Sequence, residues 1–459
     1  MMFHPGQFST NSLRRSRRGN DICEVLAAAI NSADGKEVIK NKVSRDADRL
    51  ILAKTSYDLN EYKRVFVIGA GKAAVPMAKA IFEVLGKRIT AGIVITKDGY
   101  LGQNNTLPER PLTVIEASHP IPEQRNVDTS SQVISLIRDL KTDDLVICLL
   151  SGGGSSLMMK PSPGVSLKDL QITTALLLNS GATIHEINTI RKHLDELKGG
   201  GLAKLLFPAA VVSLILSDVV GDSLDMIASG PTVADPTTFK DAWAILNKYQ
   251  ILDRIPSGIQ SHIINGMGGN ISETLKPGDP ILDKVQNVLV WNNSQTALTA
   301  IQAAKSVGFN SILLTTSLHG EASQVGVTIS ESAKSILFPP VSIKRPTCLI
   351  AGGETTVTIK GTGKGGRNQE LALGAVQILS GTDQIVLVSL ATDGGDGPTD
   401  AAGAVVTNQT YSLGLAKNLN PVDYLDRNDS YNYFEPLGDL IKTGPTLTNV
   451  NDLVFIFAV

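Results

Sequence analysis

Residues 65–74 read VFVIGAGKAA, an apolar run that ends in two glycines and a lysine. Consecutive apolar residues that include β-branched valine and isoleucine are typical of a strand covered by helices on both faces of a parallel sheet. The glycine turn leads into an alanine-rich stretch that predicts a helix. This strand–turn–helix unit is the building block of doubly wound α/β sheets, in which ligands bind beyond the carboxyl ends of the strands.

The same pattern recurs along the chain. Short runs rich in Val, Ile and Leu end in Gly, Ser or Asp and lead into amphipathic stretches, which predicts an α/β fold with a mostly parallel sheet. We predict buried strands at 65–69, 92–96, 112–117, 145–150, 210–217, 288–291, 311–315, 348–351 and 385–390. Two further strands are expected at 356–360, which alternates like a half-exposed strand, and at 453–459.

Length and composition set the broad class of the protein. A chain of 459 residues with 42% apolar and 19% charged residues is long enough for two globular domains with sizeable cores. The net charge of −2 and the lack of a basic stripe argue against a nucleic-acid partner. No apolar run reaches 18 residues, so no membrane span is expected. Cys148 and Cys348 lie in apolar runs and are interpreted as buried core residues.

The predicted domain organisation has three parts. Residues 1–20 contain four arginines and no acidic residue, and they are interpreted as a disordered or targeting tail. Residues 21–270 form the N-terminal Rossmann-like domain and residues 271–459 the C-terminal α/β domain. The boundary is placed within 252–285, where glycine and proline are frequent and no periodicity persists. A cytoplasmic location is expected, with a mitochondrial one as the alternative.

Two glycine-rich loops follow predicted strands and are candidates for binding phosphate. Gly71 and Lys72 stand where bare N–H groups and the start of a helix favour an anion. Lys72 opposes the dipole of that helix, which indicates that its charge serves another purpose. The second loop can form a nest of N–H groups with two hydroxyls beside it. It consists of Ser151, Gly152, Gly153, Gly154, Ser155 and Ser156.

Further polar residues fall at other predicted strand ends and on one helix. A helix predicted over 182–197 places Asn188, Arg191, Asp195 and Lys198 on one face, because they follow one another at three, four and three residues. A solvated helix face explains the same spacing. The loop at 361–370, GTGKGGRNQE, carries Arg367, whose planar guanidinium could clamp a carboxylate or phosphoryl group.

Acidic residues are dense after two of the strands. Carboxylates of this kind hold Mg²⁺ through one or two oxygens when nucleotide phosphates supply the others. Asp-Gly turns are also common for purely structural reasons. The candidate metal ligands are Asp218, Asp222 and Asp393.

Taken together, these motifs resemble the glycerate 2-kinases over roughly residues 20–459. The N-terminal blocks are GAGK at 69–72, SGGGSSL at 151–157, IHEIN at 184–188 and LSDVVGDSLDMIASGP at 216–231. Blocks at 351–354, 365–370 and 392–403 resemble the family's C-terminal MOFRL domain. The resemblance implies two α/β domains with the active site in the cleft between them. It also implies phosphorylation of D-glycerate to 2-phosphoglycerate with ATP and Mg²⁺.

The resemblance makes Lys72 and Arg367 the leading catalytic candidates. As a separate hypothesis, Asp218 is a third candidate that could accept the proton of the substrate hydroxyl. Beyond the two loops and the helix residues, Glu354, Asn368 and Glu370 are candidates for binding substrate or nucleotide. Two positions depart from the family pattern: Asp195 stands where serine is usual and Leu447 where glycine is usual.

Two other functions stay open at this point. A G-x-G-x-x-A turn also suits an NAD(P)-dependent hydroxypyruvate reductase, although the acidic ribose ligand expected about 20 residues on is missing and Asp98 comes late. A non-catalytic protein that binds a sugar acid or nucleotide is the third reading, favoured by the two departures. Small molecules are the expected partners, and a homodimer is compatible with the sequence.

Overall fold

The computed structural model describes residues 2–52, 55–101, 111–337, 343–382 and 384–459. The chain divides into two compact units. The inserted unit comprises Gly35–Val290, and the discontinuous unit combines Trp291–Val459 with the chain up to Asp34. This division differs from the boundaries predicted at residues 20 and 270: residues 2–34 group with the C-terminal part, and residues 271–290 group with the central part.

A six-stranded sheet forms the centre of the inserted unit, in the order β6-β5-β4-β7-β8-β9. The pairs β4–β5, β5–β6, β4–β7 and β7–β8 are parallel, which confirms the predicted parallel sheet for these strands. The strands of this sheet are β4 Arg64–Ala70, β5 Ala91–Lys97, β6 Leu112–Ala117, β7 Asp144–Leu150, β8 Ala210–Leu216 and β9 Val285–Trp291. A small antiparallel sheet that the sequence did not reveal consists of β1 Val43–Asp46, β2 Arg49–Leu52 and β3 Thr55–Asp58.

Nine helices of the inserted unit lie in its described residues. They are α3 Gly35–Lys40, α4 Ala74–Leu85, α5 Gln124–Leu136, α6 Gly154–Leu157, α7 Leu167–Asn179, α8 Ile184–His193, α9 Gly201–Leu206, α10 Phe239–Lys248 and α11 Ser257–Met267. Two of these helices differ from what the sequence predicted. Helix α8 ends at His193, four residues before the predicted end, and α11 lies inside the stretch interpreted as a linker.

The discontinuous unit has its own six-stranded sheet, in the order β10-β11-β15-β12-β13-β14. Its strands are β10 Asn310–Leu318, β11 Thr347–Gly353, β12 Ile385–Ala391, β13 Gly403–Thr407, β14 Leu440–Ile441 and β15 Asp452–Ala458. Only β10 and β11 pair in parallel, whereas the other neighbours are antiparallel. The expected strand at 356–360 is wrong, since Thr356 forms only a single bridge with Glu321.

The helices of this unit come from both ends of the chain. They are α1 Asn11–Arg15, α2 Gly19–Ser32, α12 Asn293–Ser306, α13 Ala322–Leu337, α14 Arg367–Leu379, α15 Thr410–Leu415, α16 Pro421–Asp426 and α17 Ser430–Phe434. One core, on one side of the sheet, contains α2, α12 and the side chains of β15 that face them, including Phe455 and Phe457. Cys348 is fully buried in this core, as predicted.

The predicted disordered tail is wrong for the described residues 2–20. Phe3, Phe8 and Leu13 are buried in the core of the discontinuous unit. Ser12 donates two hydrogen bonds of 2.7 Å, from its backbone N–H and its hydroxyl, to the carboxylate of Asp439. The arginines that suggested disorder are interspersed with these apolar residues, which supply enough buried surface to order the segment. A targeting role stays a prediction.

Among the described residues, no helix combines the length and apolar character that crossing a bilayer requires.

Candidate functional site

The two glycine-rich loops of the inserted unit form one interlocked structure at the ends of β4 and β7. The backbone N–H of Lys72 donates to the carbonyl of Gly152 at 2.9 Å. The N–H of Ala73 donates to Ser151 Oγ at 3.0 Å, so the Ser151 hydroxyl is used inside the protein. A side chain at Gly71 would lie 2.1 Å from Ser151 Oγ, and its φ of +136° also favours glycine. The glycines therefore allow a close approach that brings Lys72 beside the 151–156 loop.

Ser229 and Asn188 support the 151–156 loop through a chain of hydrogen bonds. Ser155 Oγ lies 2.7 Å from Ser229 Oγ, and Ser229 in turn donates to Asn188 Oδ1 at 3.3 Å. Ala228, Ser229 and Gly230 all have positive φ, a strained run that costs free energy in non-glycine residues. Asn188 is buried, so its side chain supports Ser155 rather than facing solvent. Sequence reasoning found Asn188 but missed Ser229, although 216–231 was recognised as a motif.

Asn126 ties the end of β6 to the same loop. Its fully buried amide nitrogen donates to the carbonyls of Ser118 and Ser156, both at 2.9 Å. The amide oxygen accepts the backbone N–H of Glu123, which completes a capping box at the start of α5. One asparagine thus fixes two strand-end loops, a role that its position in a helix start does not reveal.

After α8, the chain turns and forms a buried ion pair between Lys198 and Asp195. Lys198 Nζ lies 2.7 Å from Asp195 Oδ2, and both side chains are almost wholly buried. Asp195 also accepts the N–H groups of Lys160 and Leu197. Since α8 ends at His193, Asp195 and Lys198 do not share a helix face with Asn188, which corrects the prediction. The departure at Asp195 has a structural explanation, because its carboxylate balances Lys198.

We expect Asp195→Asn to destabilise the inserted unit by about 3 kcal/mol, because Lys198 would keep its charge in a buried place without a carboxylate. On this scale the thermal midpoint falls by roughly 5–10 °C. Scanning calorimetry measures the change. Glu196→Gln is the matched neighbour: burial raises the pKa of Glu196, so removing its charge should leave the midpoint nearly unchanged. Equal midpoints for the two variants would contradict the structural role of Asp195.

The acidic loop after β8 contains Asp218 and Asp222, both partly buried. Asp222 has a φ of +56° and its N–H donates to the carbonyl of Val219, which defines a tight turn. Within the described ranges, no three His, Cys, Asp or Glu side chains converge closely enough to hold a metal by themselves. Oxygen donors in ones and twos still suit Mg²⁺, which usually completes its shell with phosphate and water.

In the discontinuous unit, Arg367 lies at the strand-end edge of the sheet and makes three charge-assisted contacts. Its Nε and Nη2 donate to the two carboxylate oxygens of Asp452 at 2.5 and 3.0 Å, and Nη1 lies 2.9 Å from Glu354 Oε1. Asp452 is the first residue of β15 and pairs with Gly353 on β11 and Ala391 on β12, at the ends of both strands. The carboxylates raise the pKa of Arg367 against the opposing effect of burial.

The start of α14 is held by a second buried carboxylate. Asp396 accepts the N–H groups of Asn368 and Gln369 at 3.1 and 2.8 Å and caps the helix. Burial raises the pKa of Asp396 to about 6. A side chain on Gly366 would lie 2.4 Å from Asp396, so glycine at this position allows the loop before α14 to approach Asp396 closely. No local sequence pattern connects Asp396 with the start of α14.

The remaining candidates of this unit are dispersed. Asn368 is buried and accepts the hydroxyl of Ser389 at 2.7 Å. Glu370 is buried against Asn428 Nδ2, and burial raises the pKa of its carboxyl. Both therefore contact protein in this arrangement, and ligand contacts for them stay predictions. Asp393 accepts the N–H of Gly395 within its turn and is partly buried.

Leu447 occupies a backbone conformation that favours glycine. Its φ is +61°, in the left-handed region that a branched side chain adopts at a cost of roughly 1–2 kcal/mol. This explains in physical terms why glycine suits the position.

Comparisons with known proteins place the chain in a family. A model described as a domain of unknown function, DUF4147, matches residues 21–264, and the MOFRL family model matches residues 347–452. A glycerate 2-kinase from Pyrococcus horikoshii is 42% identical over 439 residues, which cover 95% of this chain and 97% of the relative. The chain belongs to the glycerate 2-kinase family.

Further relatives support the assignment of the chain to the glycerate 2-kinase family. A D-glycerate 2-kinase from Thermotoga maritima is 44% identical over 91% of this chain and 96% of its own length. The crystal structure of a glycerate kinase from that organism superimposes with a TM-score of 0.80 at 41% identity, and it covers 95% of this chain and 98% of the other. Two relatives from Agrobacterium vitis, at 40% and 37% identity, carry a provisional hydroxypyruvate reductase name.

Proposed function

We propose that this chain transfers the γ-phosphoryl group of ATP to D-glycerate and forms 2-phospho-D-glycerate and ADP. The observation that carries the proposal is the interlocked loop pair, in which Lys72 follows β4 and its N–H binds Gly152 in the glycine-rich loop after β7. A lysine beside a nest of N–H groups at a strand end suits phosphate. Membership of the glycerate 2-kinase family supports the choice of glycerate as acceptor.

The proposed mechanism relies on positioning and charge, as phosphoryl transfer requires. Backbone N–H groups of residues 152–156 bind the nucleotide phosphates. Lys72 and Arg367 bind the γ-phosphate and the glycerate carboxylate and neutralise the charge that builds up during transfer. The C2 hydroxyl oxygen forms the new P–O bond, the bond between the γ-phosphorus and the bridging oxygen breaks, and Asp218 accepts the hydroxyl proton.

Arg367 is prepared for this role by its surroundings. Asp452 and Glu354 together engage one N–H on each of its three nitrogens, which leaves two of the five N–H donors for a ligand. The guanidinium plane is thereby fixed before substrate arrives, so little side-chain entropy is lost on binding.

The carboxylates Asp218, Asp222 and Asp393 are the residues that would hold Mg²⁺. Bound Mg²⁺ would offset the negative charge of the β- and γ-phosphates. With these residues contributing one or two oxygens, the remaining ligands would come from ATP and water.

One assay separates this function from its rivals. The purified protein with D-glycerate, ATP and Mg²⁺ is expected to form ADP and 2-phosphoglycerate in equal amounts, with the position of the phosphate assigned by ³¹P NMR. With NAD⁺ or NADP⁺ in place of ATP, no absorbance should develop at 340 nm. Absorbance there would instead indicate the hydroxypyruvate reductase, and ligand binding without either product would indicate a non-catalytic binding protein.

A contact at β5 supports the kinase over the reductase. Asp98, the acidic residue that follows β5, accepts a hydrogen bond of 2.7 Å from Arg125 Nη1. Its acceptor capacity is thus partly used within the protein. We also propose a cytoplasmic location and small-molecule substrates without a nucleic-acid partner; the archaeal and bacterial origin of the relatives supports the location.

A further inference from the structure

A cavity of about 510 Å³ lies in the inserted unit beside the 151–156 loop. Its volume falls within the range of small-molecule sites. The loop after β6, at residues 120–122, and one face of α7 that includes Leu170 and Leu178 line this cavity. A three-carbon acid is far too small to fill this space, so glycerate alone does not account for it.

One cation in the lining of the cavity has no hydrogen-bonded partner among the described residues. The guanidinium of Arg191 lines the cavity, is half-buried, and forms no hydrogen bond with any described residue. The nearby Asp195 carboxylate is bound to Lys198 at 2.7 Å and to two backbone N–H groups. Burial lowers the pKa of Arg191 because water no longer solvates its charge. An anion bound beside Arg191 would restore that solvation, and Ser155 and Ser156 line the same cavity.

The lining also includes apolar side chains that are exposed to solvent. Ile121 and Leu178 line the cavity and are 67% and 60% exposed, which is high for such large apolar side chains. Burial of these side chains by a flat apolar group would be favourable by roughly 25 cal/mol for each Å² removed from water. The cavity thus offers both apolar side chains and a cation to one ligand.

We propose that the cavity binds the nucleoside part of ATP, with the base between Ile121 and the Leu178 face of α7 and the phosphates directed toward Arg191 and Ser155. This inference rests on the proposed function, since it assigns the nucleotide of that reaction to a subsite. The 151–156 loop connects this cavity with the residue proposed to bind the γ-phosphate. From Ser155 the glycine loop leads to Gly152, whose carbonyl contacts Lys72, the residue proposed to bind the γ-phosphate.

Calorimetric titration with ATP and with inorganic triphosphate tests the assignment. Leu178→Ser is expected to raise the Kd of ATP about tenfold, the scale of lost apolar contacts in a pocket, while the Kd of triphosphate changes less than about twofold. Ile172→Ser is the matched control: Ile172 lies on the same helix, is 38% exposed, and does not line the cavity. Its Kd values should equal those of the unmodified protein.

The outcomes separate the subsite from the reaction. An unchanged Kd for ATP in Leu178→Ser, an equal rise for triphosphate, or no ATP binding by the unmodified protein would overturn the subsite. If ATP binding responds as expected but no phosphoglycerate forms, the proposed kinase fails and the nucleotide subsite stands. A change in self-association of Leu178→Ser without a change in Kd would instead indicate a contact between copies of the chain.

Discussion

Replacing Arg367 with glutamine is expected to lower kcat/KM for glycerate phosphorylation about a thousandfold, the lower end of the effect of an arginine on phosphoryl transfer. Glutamine keeps polarity and approximate length but removes the charge and the planar fork that Asp452 holds in a bidentate pair. Steady-state kinetics with saturating ATP measure the loss.

Two further variants identify the cause of that loss. Arg367→Lys keeps the positive charge without the fork, so we expect an activity between those of the glutamine variant and the unmodified protein. Arg427→Gln is the matched control, since Arg427 also pairs with an aspartate, Asp429, at 3.2 Å and its side chain is 49% exposed. Activity of Arg367→Gln within a few-fold of this control would rule out a catalytic role.

Lys72→Met is expected to lower kcat/KM by about 10²–10³-fold, the magnitude for removing one preorganised group that stabilises developing charge. Lys72 is only 8% exposed, and methionine preserves most of its apolar stem. Its backbone bond to Gly152 does not depend on the side chain, so the loop pair and the thermal midpoint should persist.

Lys79→Met serves as the control for Lys72→Met, because Lys79 lies on α4, the helix that follows Lys72. We expect this control to retain kcat/KM within about twofold, as for most surface positions away from a site. A Lys72→Met enzyme with near-normal kcat/KM and an unchanged midpoint would remove Lys72 from the mechanism.

The sequence predicted the strands of both six-stranded sheets, except β13 and β14, because each of the others is a short apolar run bounded by glycine or polar residues. The predicted parallel pairing is right for β4 and β7 but wrong for β12 and β15. β12 and β15 are buried on both faces and pair antiparallel, yet their apolar runs look like those of the parallel strands β4 and β7. A strand covered on both faces shows continuous apolar residues whatever the direction of its neighbours, so composition carries no information on direction.

The candidate site was predicted where function shows as a local motif and missed where it depends on distant pairing. Lys72 and Arg367 stand in short glycine-rich motifs. Asp452, which orients Arg367, is 85 residues away in sequence and forms the first position of an apolar strand, where no pattern marks it. Likewise the ordering of Ser12 by Asp439 spans 427 residues, so the first residues looked like a tail.

The discontinuous unit has a consequence for synthesis on the ribosome. Residues up to Asp34 are synthesised before the rest of the discontinuous unit, whose strands and helices begin at Trp291. They can pack against these elements only after nearly the whole chain has been translated. Meanwhile Gly35–Val290 is complete and can fold as a unit. During this interval Phe3, Phe8 and Leu13 are without the core that buries them in the folded chain.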